Sequence, residues 1–148
     1  IIQVEKKTVN QSPPAPFTTS SLQQAAGAKL RFAPEFTMKV AQSLFEAGYI
    51  TYMRTDSVML SDQFCATVRQ YLEQNDPDNV PAKVARHRSK AGAQEAHEAI
   101  RPTDVYLTPE QLSSRVNGDE AKLYELIWNR TVASQCRAAQ IAKTRIIT

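Results

Sequence analysis

The sequence has few cysteines and glycines, and it has no long apolar run. Cys65 and Cys136 lie in stretches of helical periodicity, and neither has a cysteine or histidine at metal-ligand spacing, which argues against a zinc site or a disulfide framework. No apolar run approaches the roughly 20 residues of a membrane span. Gly-rich phosphate loops, internal repeats and low-complexity tracts are also missing. These absences favour a cytoplasmic protein with reduced thiols.

A magnesium site usually needs a cluster of closely spaced acidic residues, and no such cluster accompanies Asp56 or Glu98. Asp56 and Glu98 are the carboxylates nearest the motifs described below, so we assign no metal to this chain. At 148 residues and 42% hydrophobic content, the chain is long enough for one domain with a core. A net charge of +3 is compatible with nucleic-acid binding but is common in proteins that never bind it.

Both ends of the chain have strand-like patterns. The first residues, IIQVEKKTV, mix β-branched and charged positions, and a proline-rich linker follows; IAKTRIIT, from Ile141, is again strand-like. We therefore predict a strand and linker over residues 1–16, a helical domain over 17–138 and a returning strand over 139–148. Strands without a sheet of their own suggest an excised piece whose two ends lie side by side.

Between these ends the periodicity is mostly helical. Ser21, with Gln24 three residues later, predicts a capped first helix, and Pro34 suits the first turn of a second helix that Gly48 ends. Ser61 predicts the cap of a third helix. The apolar positions expected to be buried are Leu22, Ala25, Ala26 and Leu30 in the first helix, Phe36, Val40, Leu44 and Phe45 in the second, and Phe64, Cys65, Val68 and Leu72 in the third.

Three further helices are predicted in the second half. A short Ala-rich helix spans about Ala91 to Ile100, another begins after Thr108, and Asp119 caps the last long one. Trp128 lies in the apolar stripe of that last helix, which favours packing over base stacking. The stripe also includes Leu123, Leu126, Ile127, Val132, Ala133 and Cys136. The basic residues of segment 83–90 suit either phosphate binding or a solvated loop.

The stretch GYITYMRTDS, from Gly48 to Ser57, carries the strongest chemical pattern. Tyr49–Tyr52 is β-branched and aromatic, so we predict a short strand, on which Tyr52 and Arg54 share a face. A guanidinium beside a phenol favours phenolate and can bind a phosphate oxygen, which makes Tyr52 a candidate nucleophile. On the residues alone, the favoured interpretation is that Tyr52 is a half-buried strand aromatic and Arg54 a solvated charge, and the nucleophile remains the alternative.

Three motifs in this sequence resemble those of type IA DNA topoisomerases. ITYMRTDS resembles the family's active-site segment, QEAHEAIRPTD (94–104) its second signature, and FTTSSLQQAA (17–26) the segment that leads in. Their order and spacing also agree with the family. Met53, between the tyrosine and the arginine, favours the bacterial topoisomerase I branch, because topoisomerase III relatives usually have proline there.

The resemblance implies that Tyr52 attacks a single-stranded DNA phosphodiester and forms a transient 5′-phosphotyrosine link. Strand passage then relaxes negative supercoils, and religation needs no ATP. Arg54 would assist catalysis. Arg54 would also belong to the DNA-binding residues, together with Thr55, Asp56, Ser57, His97 and Arg101, of which His97 would contact the phosphate near the cleavage site.

The resemblance also implies a setting for this chain. The fold would be mainly α with a few short strands (α+β), a winged-helix-like tyrosine domain inserted in a β-rich hinge domain. Mg²⁺ would be bound by a separate Toprim domain of the same polypeptide, so the fragment alone would lack half of the active site. The expected partners are DNA and the remaining domains, with no membrane, in a monomeric cytoplasmic enzyme near the nucleoid.

Two other functional classes fit the same residues. One is a non-catalytic winged-helix DNA-binding module in which Tyr52 only packs or stacks. The other is an interaction domain that never meets DNA. Covalent labelling of the protein by DNA distinguishes both of them from the enzyme.

Overall fold

Helices dominate the part of the chain that the computed structural model describes, which is residues 3–11, 14–77, 98–136 and 139–147. Within those ranges, no helix is both long and apolar enough to cross a membrane. The elements in order are β1 (Gln3–Gln11), α1 (Thr19–Leu30), α2 (Pro34–Glu46), α3 (Asp62–Asn75), α4 (Pro109–Ser113), α5 (Gly118–Ser134) and β2 (Ala139–Ile147). The predicted fold class, mainly helical with few strands, is confirmed.

The two strands pair with each other. β1 and β2 are antiparallel, in a register that runs from Gln3 opposite Ile147 to Gln11 opposite Ala139. The predicted side-by-side placement of the two ends is therefore confirmed. Their assignment to a hinge domain, and the domain limits at 16 and 138, stay predictions.

The main core lies where α1, α2 and α5 meet. It contains Leu22 of α1, Leu44 of α2, and Leu123 and Ile127 of α5, each with no exposed surface. Tyr124 is also fully buried there, and its hydroxyl donates a 2.6 Å hydrogen bond to the Leu107 carbonyl. The sequence pattern missed Tyr124, because a tyrosine scores as amphipathic unless its hydroxyl has a known partner.

A second cluster packs the apolar face of α3. The four residues predicted for this face, Phe64, Cys65, Val68 and Leu72, are all buried. Trp128 of α5 contacts both clusters, and its indole nitrogen donates to the Val105 carbonyl at 2.9 Å. The prediction that Trp128 packs is therefore confirmed.

Three of the predicted helix starts are confirmed. Ser61 caps α3 by accepting a hydrogen bond from the Phe64 amide, and Thr108 caps α4 in the same way. Pro34 is the first residue of α2, where its missing amide proton costs no hydrogen bond.

Two predicted caps are wrong by two or three residues. Thr18, not Ser21, caps α1: the two residues exchange side-chain hydrogen bonds with each other's amides in a capping box. Asn117, not Asp119, caps α5 by accepting from the Glu120 amide at 2.8 Å. In both places the sequence offers two overlapping cap patterns, and the geometry of the preceding chain selects the earlier one.

The prediction that Phe36 and Phe45 of α2 are buried is wrong. They are 38% and 37% exposed, while Thr37, Met38, Val40, Ala41 and Leu44 form the buried stripe. Phe36 packs edge-on against Phe32, and Phe45 packs against Tyr52. Val40 and Leu44, the other two predicted positions, are buried as expected, so the prediction is wrong only at Phe36 and Phe45.

The predicted strand at Tyr49–Tyr52 is wrong as an element. Gly48, with a φ of +84°, turns the chain after α2, and Ile50 then forms a single antiparallel bridge to Pro102. Beyond this bridge the Arg101 amide donates to the Thr51 hydroxyl, and that hydroxyl donates to the Ala99 carbonyl, so side-chain bonds replace the next backbone pair. The pairing stops after one bridge.

The predicted Ala-rich helix from Ala91 to Ile100 is wrong at its end. Ala99 and Ile100 are extended and donate to the carbonyls of Met59 and Phe17. Residues 91–97 of this prediction lie outside the described residues.

A stability comparison tests the position of the α2 stripe. We expect Leu44→Ala to lower the free energy of unfolding by about 2–5 kcal/mol, because it removes a fully buried side chain. Phe36→Ala removes more atoms but should cost less than about 1.5 kcal/mol, since the ring is partly in water. Urea unfolding of the two variants measures both values, and a larger loss for Phe36→Ala would contradict the assignment.

Candidate functional site

Tyr52 and Arg54 face solvent on either side of a buried residue. Tyr52 is 50% exposed and Arg54 is also exposed, whereas Met53 between them is only 1% exposed and belongs to the main core. The alternation expected of a strand therefore holds for these three residues although no strand forms. Among the described residues, no hydrogen bond joins the Tyr52 hydroxyl to the Arg54 guanidinium.

The Arg54 guanidinium lines an open cavity of about 480 Å³ between α1 and α2. The polar lining includes Gln23 of α1, and Lys39 and Gln42 of α2, while Glu35 supplies one carboxylate. Within the described part of the chain, Arg54 makes no ion pair. A planar guanidinium with free donors in such a cavity is suited to bind an anionic group such as a phosphate.

Among the described residues, one aromatic ring packs against Tyr52. Phe45, near the C-terminal end of α2, packs against it with ring centroids 5.2 Å apart and planes at 66°. This edge-on contact restricts the ring while leaving half of the side chain in solvent. The Tyr52 side chain therefore keeps a solvent-facing surface that a macromolecular ligand can reach.

The backbone around these residues, which we call the Tyr52 segment (residues 51–55), is fixed on one side by Thr51. Its hydroxyl donates to the Ala99 carbonyl at 2.8 Å and accepts from the Arg101 amide at 3.0 Å. The Thr51 amide also donates to the Arg101 carbonyl at 2.9 Å. These bonds join the Tyr52 segment to residues 98–102, so the structure brings two of the sequence motifs together.

Thr19 fixes the other side of the Tyr52 segment. Its hydroxyl donates to the Met53 carbonyl at 2.6 Å and accepts from the Thr55 amide at 2.9 Å. The Thr19 amide donates to the Thr55 carbonyl, also at 2.9 Å. The third motif, which contains the start of α1, therefore meets the Tyr52 segment as well.

Residues 55–57 differ in how far they face solvent. Asp56 is exposed, Thr55 is half-buried, and Ser57 has no exposed surface. The Thr55 hydroxyl accepts from the Ser57 amide, and the Ser57 hydroxyl accepts from the Met59 amide, each at 3.1 Å. This geometry favours a loop-holding role for Ser57, whereas Asp56 remains open to a ligand.

Arg101 is held by several contacts. Its Nε and Nη2 donate to the Glu98 carboxylate at 2.7 and 3.1 Å, its Nη1 donates to the Pro102 carbonyl, and the guanidinium stacks over Phe64 at 4.0 Å. Glu98 also accepts from the Ser61 amide at the start of α3. As placed here, Arg101 ties residues 98–102 to α3, which favours a structural role over DNA contact.

Glu98 is charged at neutral pH for a physical reason. Burial raises the pKa of its carboxyl, but the hydrogen bonds and charge of Arg101 and the Ser61 amide outweigh that effect, so its pKa lies below the ordinary value. The ion pair with Arg101 therefore persists into mildly acidic conditions.

Two predictions concern residues outside the described ranges. His97 and the basic segment 83–90 lie there, so their DNA contacts stay predictions. Within the described residues, no group of three or more histidine, cysteine or acidic side chains could hold a metal ion.

Three residues of this site have no signal of their role in the sequence. The apolar pattern predicts Phe45 in the core, and Thr19 and Thr51 lie in the motifs without a predicted role of their own. A hydroxyl that bridges two backbone groups far away in the chain leaves no periodic signal. Only the threonine-rich character of Phe17–Ser21 hinted at side chains with backbone partners.

Comparison with known proteins identifies relatives over the whole chain. A family model described as DNA topoisomerase matches residues 1–148. DNA topoisomerase 1 of Zymomonas mobilis is 47% identical over 148 residues, which cover 99% of this chain and 12% of that protein. The Mycolicibacterium smegmatis DNA topoisomerase 1 is 50% identical over 143 residues, covering 95% of this chain and 15% of that protein.

The Thermotoga maritima protein supplies both a sequence and a structural match. Its DNA topoisomerase 1 is 43% identical over 157 residues, 99% of this chain and 25% of that protein. The solved structure of full-length topoisomerase I from this organism superposes with a TM-score of 0.80 at 38% identity, covering 97% of this chain and 24% of that one. This chain thus spans between 12% and 25% of the length of these relatives.

The Glu98 environment predicts a specific pH dependence of stability. Because the folded-state pKa of Glu98 lies below its ordinary value of 4.5, its contribution is complete above that pH and is lost as pH falls through the lower folded value. We expect Glu98→Gln to have a lower free energy of unfolding than the parent at pH 7, and the difference between the two proteins to shrink in acid. Urea unfolding from pH 7 to 3 measures this difference.

The matched control is Glu73→Gln. Glu73 is exposed and forms an i,i+4 surface pair with Arg69 at 3.5 Å. We therefore expect the free energy of unfolding of Glu73→Gln to change with pH in parallel with that of the parent. A constant gap between the parent and Glu98→Gln across the whole range would contradict the assigned ion pair.

Proposed function

This chain belongs to the DNA topoisomerase family, and from that premise we propose that it carries the tyrosine nucleophile with which a type IA enzyme cleaves and rejoins one DNA strand. Tyr52 is the nucleophile and Arg54 its catalytic partner. Because the chain spans a quarter or less of its relatives' length, activity belongs to the assembled enzyme, meaning this chain together with the parts of the relatives outside the match.

One observation carries the proposal: the Tyr52 side chain is half exposed on a segment whose backbone is hydrogen-bonded on both sides. Thr51 and Thr19 supply those bonds. A nucleophile has to be reachable by a polymer and still be held in one geometry, and fixed orientation of reacting groups is a large source of rate enhancement. An aromatic that served only packing would not need half of its surface in solvent.

The chemistry is an exchange of phosphodiester for phosphotyrosine. The Tyr52 oxygen forms a bond to the scissile phosphorus, the bond from phosphorus to the 3′ oxygen breaks, and the 5′ phosphate stays on the protein. The phenol loses its proton, and the departing 3′ oxygen gains one. Because the new ester keeps the bond energy, the 3′ hydroxyl can reverse the reaction and rejoin the strand without ATP.

Arg54 acts by charge and by geometry. Its guanidinium, without an ion pair among the described residues, is available to bind a non-bridging phosphate oxygen in the polar cavity beside α2. Negative charge on those oxygens is stabilised by fixed donors, which is the main protein contribution in phosphoryl transfer. Lys39 adds positive charge to the same cavity.

The other expected DNA contacts have unequal support. Asp56, which is exposed, and Thr55, which is half-buried, follow Arg54 in the loop, and we keep both as DNA-facing residues. For Ser57 and Arg101 the geometry supports structural roles instead. We retain His97 as a contact to the DNA phosphate near the cleavage site.

Mg²⁺ is proposed for the assembled enzyme and not for this chain. The described residues include no group of side chains that fits a metal ion, so no step above uses one. We propose a separate Toprim domain as its site and a single-stranded region of negatively supercoiled DNA as the substrate. A winged-helix-like fold for residues 17–138, a monomeric state and a cytoplasmic location at the nucleoid complete the proposal.

A covalent trap tests the nucleophile against the alternative of a non-catalytic winged-helix DNA-binding module. The assembled enzyme is incubated with Mg²⁺ and a single-stranded oligonucleotide that is labelled on the 3′ side of the cleavage site, and is then denatured. Because the 5′ phosphate stays on Tyr52, we expect label on the protein, and none with Tyr52→Phe. Folding should be unchanged in that variant, because no described hydrogen bond involves the hydroxyl.

The control for the trap is Tyr106→Phe, which alters a tyrosine that is 39% exposed and lies outside the Tyr52 segment. It should keep the covalent label. DNA binding without label in the parent would favour the binding module, and label that survives Tyr52→Phe would show that another residue is the nucleophile.

Arg54→Lys separates charge from geometry. If the planar guanidinium of Arg54 must hold a phosphate oxygen beside Tyr52, lysine cannot replace it. Single-turnover cleavage should then fall by about 10²-fold or more, roughly 3 kcal/mol of transition-state stabilisation. Binding of the oligonucleotide should change less. Arg115→Lys, at an exposed arginine between α4 and α5, is the control. A lysine variant within about threefold of the parent would show that charge alone is sufficient.

A further inference from the structure

Thr19 makes contacts on both sides of Arg54. Its hydroxyl donates to the Met53 carbonyl at 2.6 Å and accepts from the Thr55 amide at 2.9 Å, and its own amide donates to the Thr55 carbonyl at 2.9 Å. Arg54 is the residue between Met53 and Thr55. The peptide groups on both sides of the arginine are therefore bonded to a single residue.

These contacts differ from those usual for a threonine at this place. The first amide of a helix has no acceptor within the helix and is normally bonded to a cap or to water. A helical threonine hydroxyl usually bonds to the carbonyl of the preceding turn, as Thr37 does with Ala33. The hydroxyl and the amide of Thr19 are instead bonded to Met53 and Thr55, which lie 34 and 36 positions further along the chain.

Thr19 is itself held firmly. The capping box between Thr18 and Ser21 fixes the first turn of α1. Leu22 and Ala26, with no exposed surface, anchor the same helix in the main core. Because α1 is anchored in the core, Thr19 has a fixed position, and its hydrogen bonds hold the backbone on both sides of Arg54.

We propose that Thr19 is a positioning residue for strand cleavage, whose hydroxyl holds the backbone of Met53–Thr55 so that Arg54 and Tyr52 meet the same phosphate. The proposal rests on the proposed function. Arg54 has no described side-chain partner that would orient it from the outside. The backbone therefore has to supply its placement, and a displacement of about 1 Å at a reacting group can cost about 10²-fold in rate.

Two substitutions separate the hydroxyl from the shape of the side chain. Thr19→Val has nearly the same shape but leaves the Met53 carbonyl and the Thr55 amide without this partner. Thr19→Ser keeps the hydroxyl and loses only a methyl group. Thr37→Val is the matched control, because it removes a buried threonine hydroxyl that bonds within α2 and contacts no part of the Tyr52 segment.

The experiment measures single-turnover cleavage by the assembled enzyme at saturating oligonucleotide, with active sites counted from the amplitude of covalent label. We expect Thr19→Val to cleave at least tenfold more slowly per active site, with the oligonucleotide dissociation constant changed by less than about twofold. Thr19→Ser and Thr37→Val should stay within about threefold of the parent. Amide hydrogen exchange should speed up at Thr55 in Thr19→Val and stay unchanged at Arg101, which Thr51 protects.

Several results would overturn the proposal. A Thr19→Val rate equal to the parent would show that the bonds are not needed, and an equal loss in Thr19→Ser would show that the hydroxyl is not the cause. If both Thr19→Val and Thr19→Ala fail to fold, Thr19 serves folding and not positioning. A parent without any Tyr52-dependent label would instead reject the proposed function, which the Tyr52→Phe comparison identifies separately.

Discussion

The conformation of the Tyr52 segment depends on the burial of Met53. With Met53 in the core, the residues on either side of it must point outward, and this places Tyr52 and Arg54 in solvent. A short strand in a sheet would give the same alternation, but here a single bridge at Ile50 and a few side-chain bonds replace the sheet. One buried side chain and the hydroxyls of Thr19 and Thr51 thus provide the rigidity that a ladder of backbone bonds would supply elsewhere.

The same arrangement leaves apolar surface exposed near Tyr52. Phe45 packs edge-on against Tyr52 and is 37% exposed, while Leu44, the residue before it, has no exposed surface. The helix therefore buries Leu44 in the core and leaves Phe45 at the surface beside Tyr52. Local departures of this kind from the core pattern are expected where a site has to remain accessible.

The sequence predicted the features that depend on local periodicity and missed those that depend on distant partners. The four buried positions of α3 follow from spacing, and Pro34 and Ser61 follow from the chemistry of helix starts. Ser21 and Asp119 failed as caps because overlapping patterns differ only in how the preceding chain arrives. The Tyr49–Tyr52 strand failed because, beyond the bridge at Ile50, the Arg101 amide bonds to the Thr51 hydroxyl and not to a backbone carbonyl of that segment.

For the site, the motif resemblance located Tyr52 and Arg54, but residue type could not tell what each neighbouring charge does. Arg54 and Arg101 are both arginines within family-like motifs, yet their surroundings differ. Arg54 lines an open polar cavity, whereas Arg101 has its donors on Glu98 and Pro102 and its face on Phe64. No sequence pattern distinguishes these two states, because the Glu98 carboxylate that occupies Arg101 is itself part of the motif.

The contrast between the two arginines has an energetic meaning. Three of the five N–H donors of Arg101 are bound to Glu98 and Pro102, and its side chain is 13% exposed. Turning Arg101 toward an anion would weaken its pair with the partly buried Glu98 carboxylate, whereas Arg54 would lose only water. An anionic ligand would therefore bind more favourably at Arg54 than at Arg101. The Glu98–Arg101 pair instead fixes residues 98–102, to which Thr51 ties the backbone beside Tyr52.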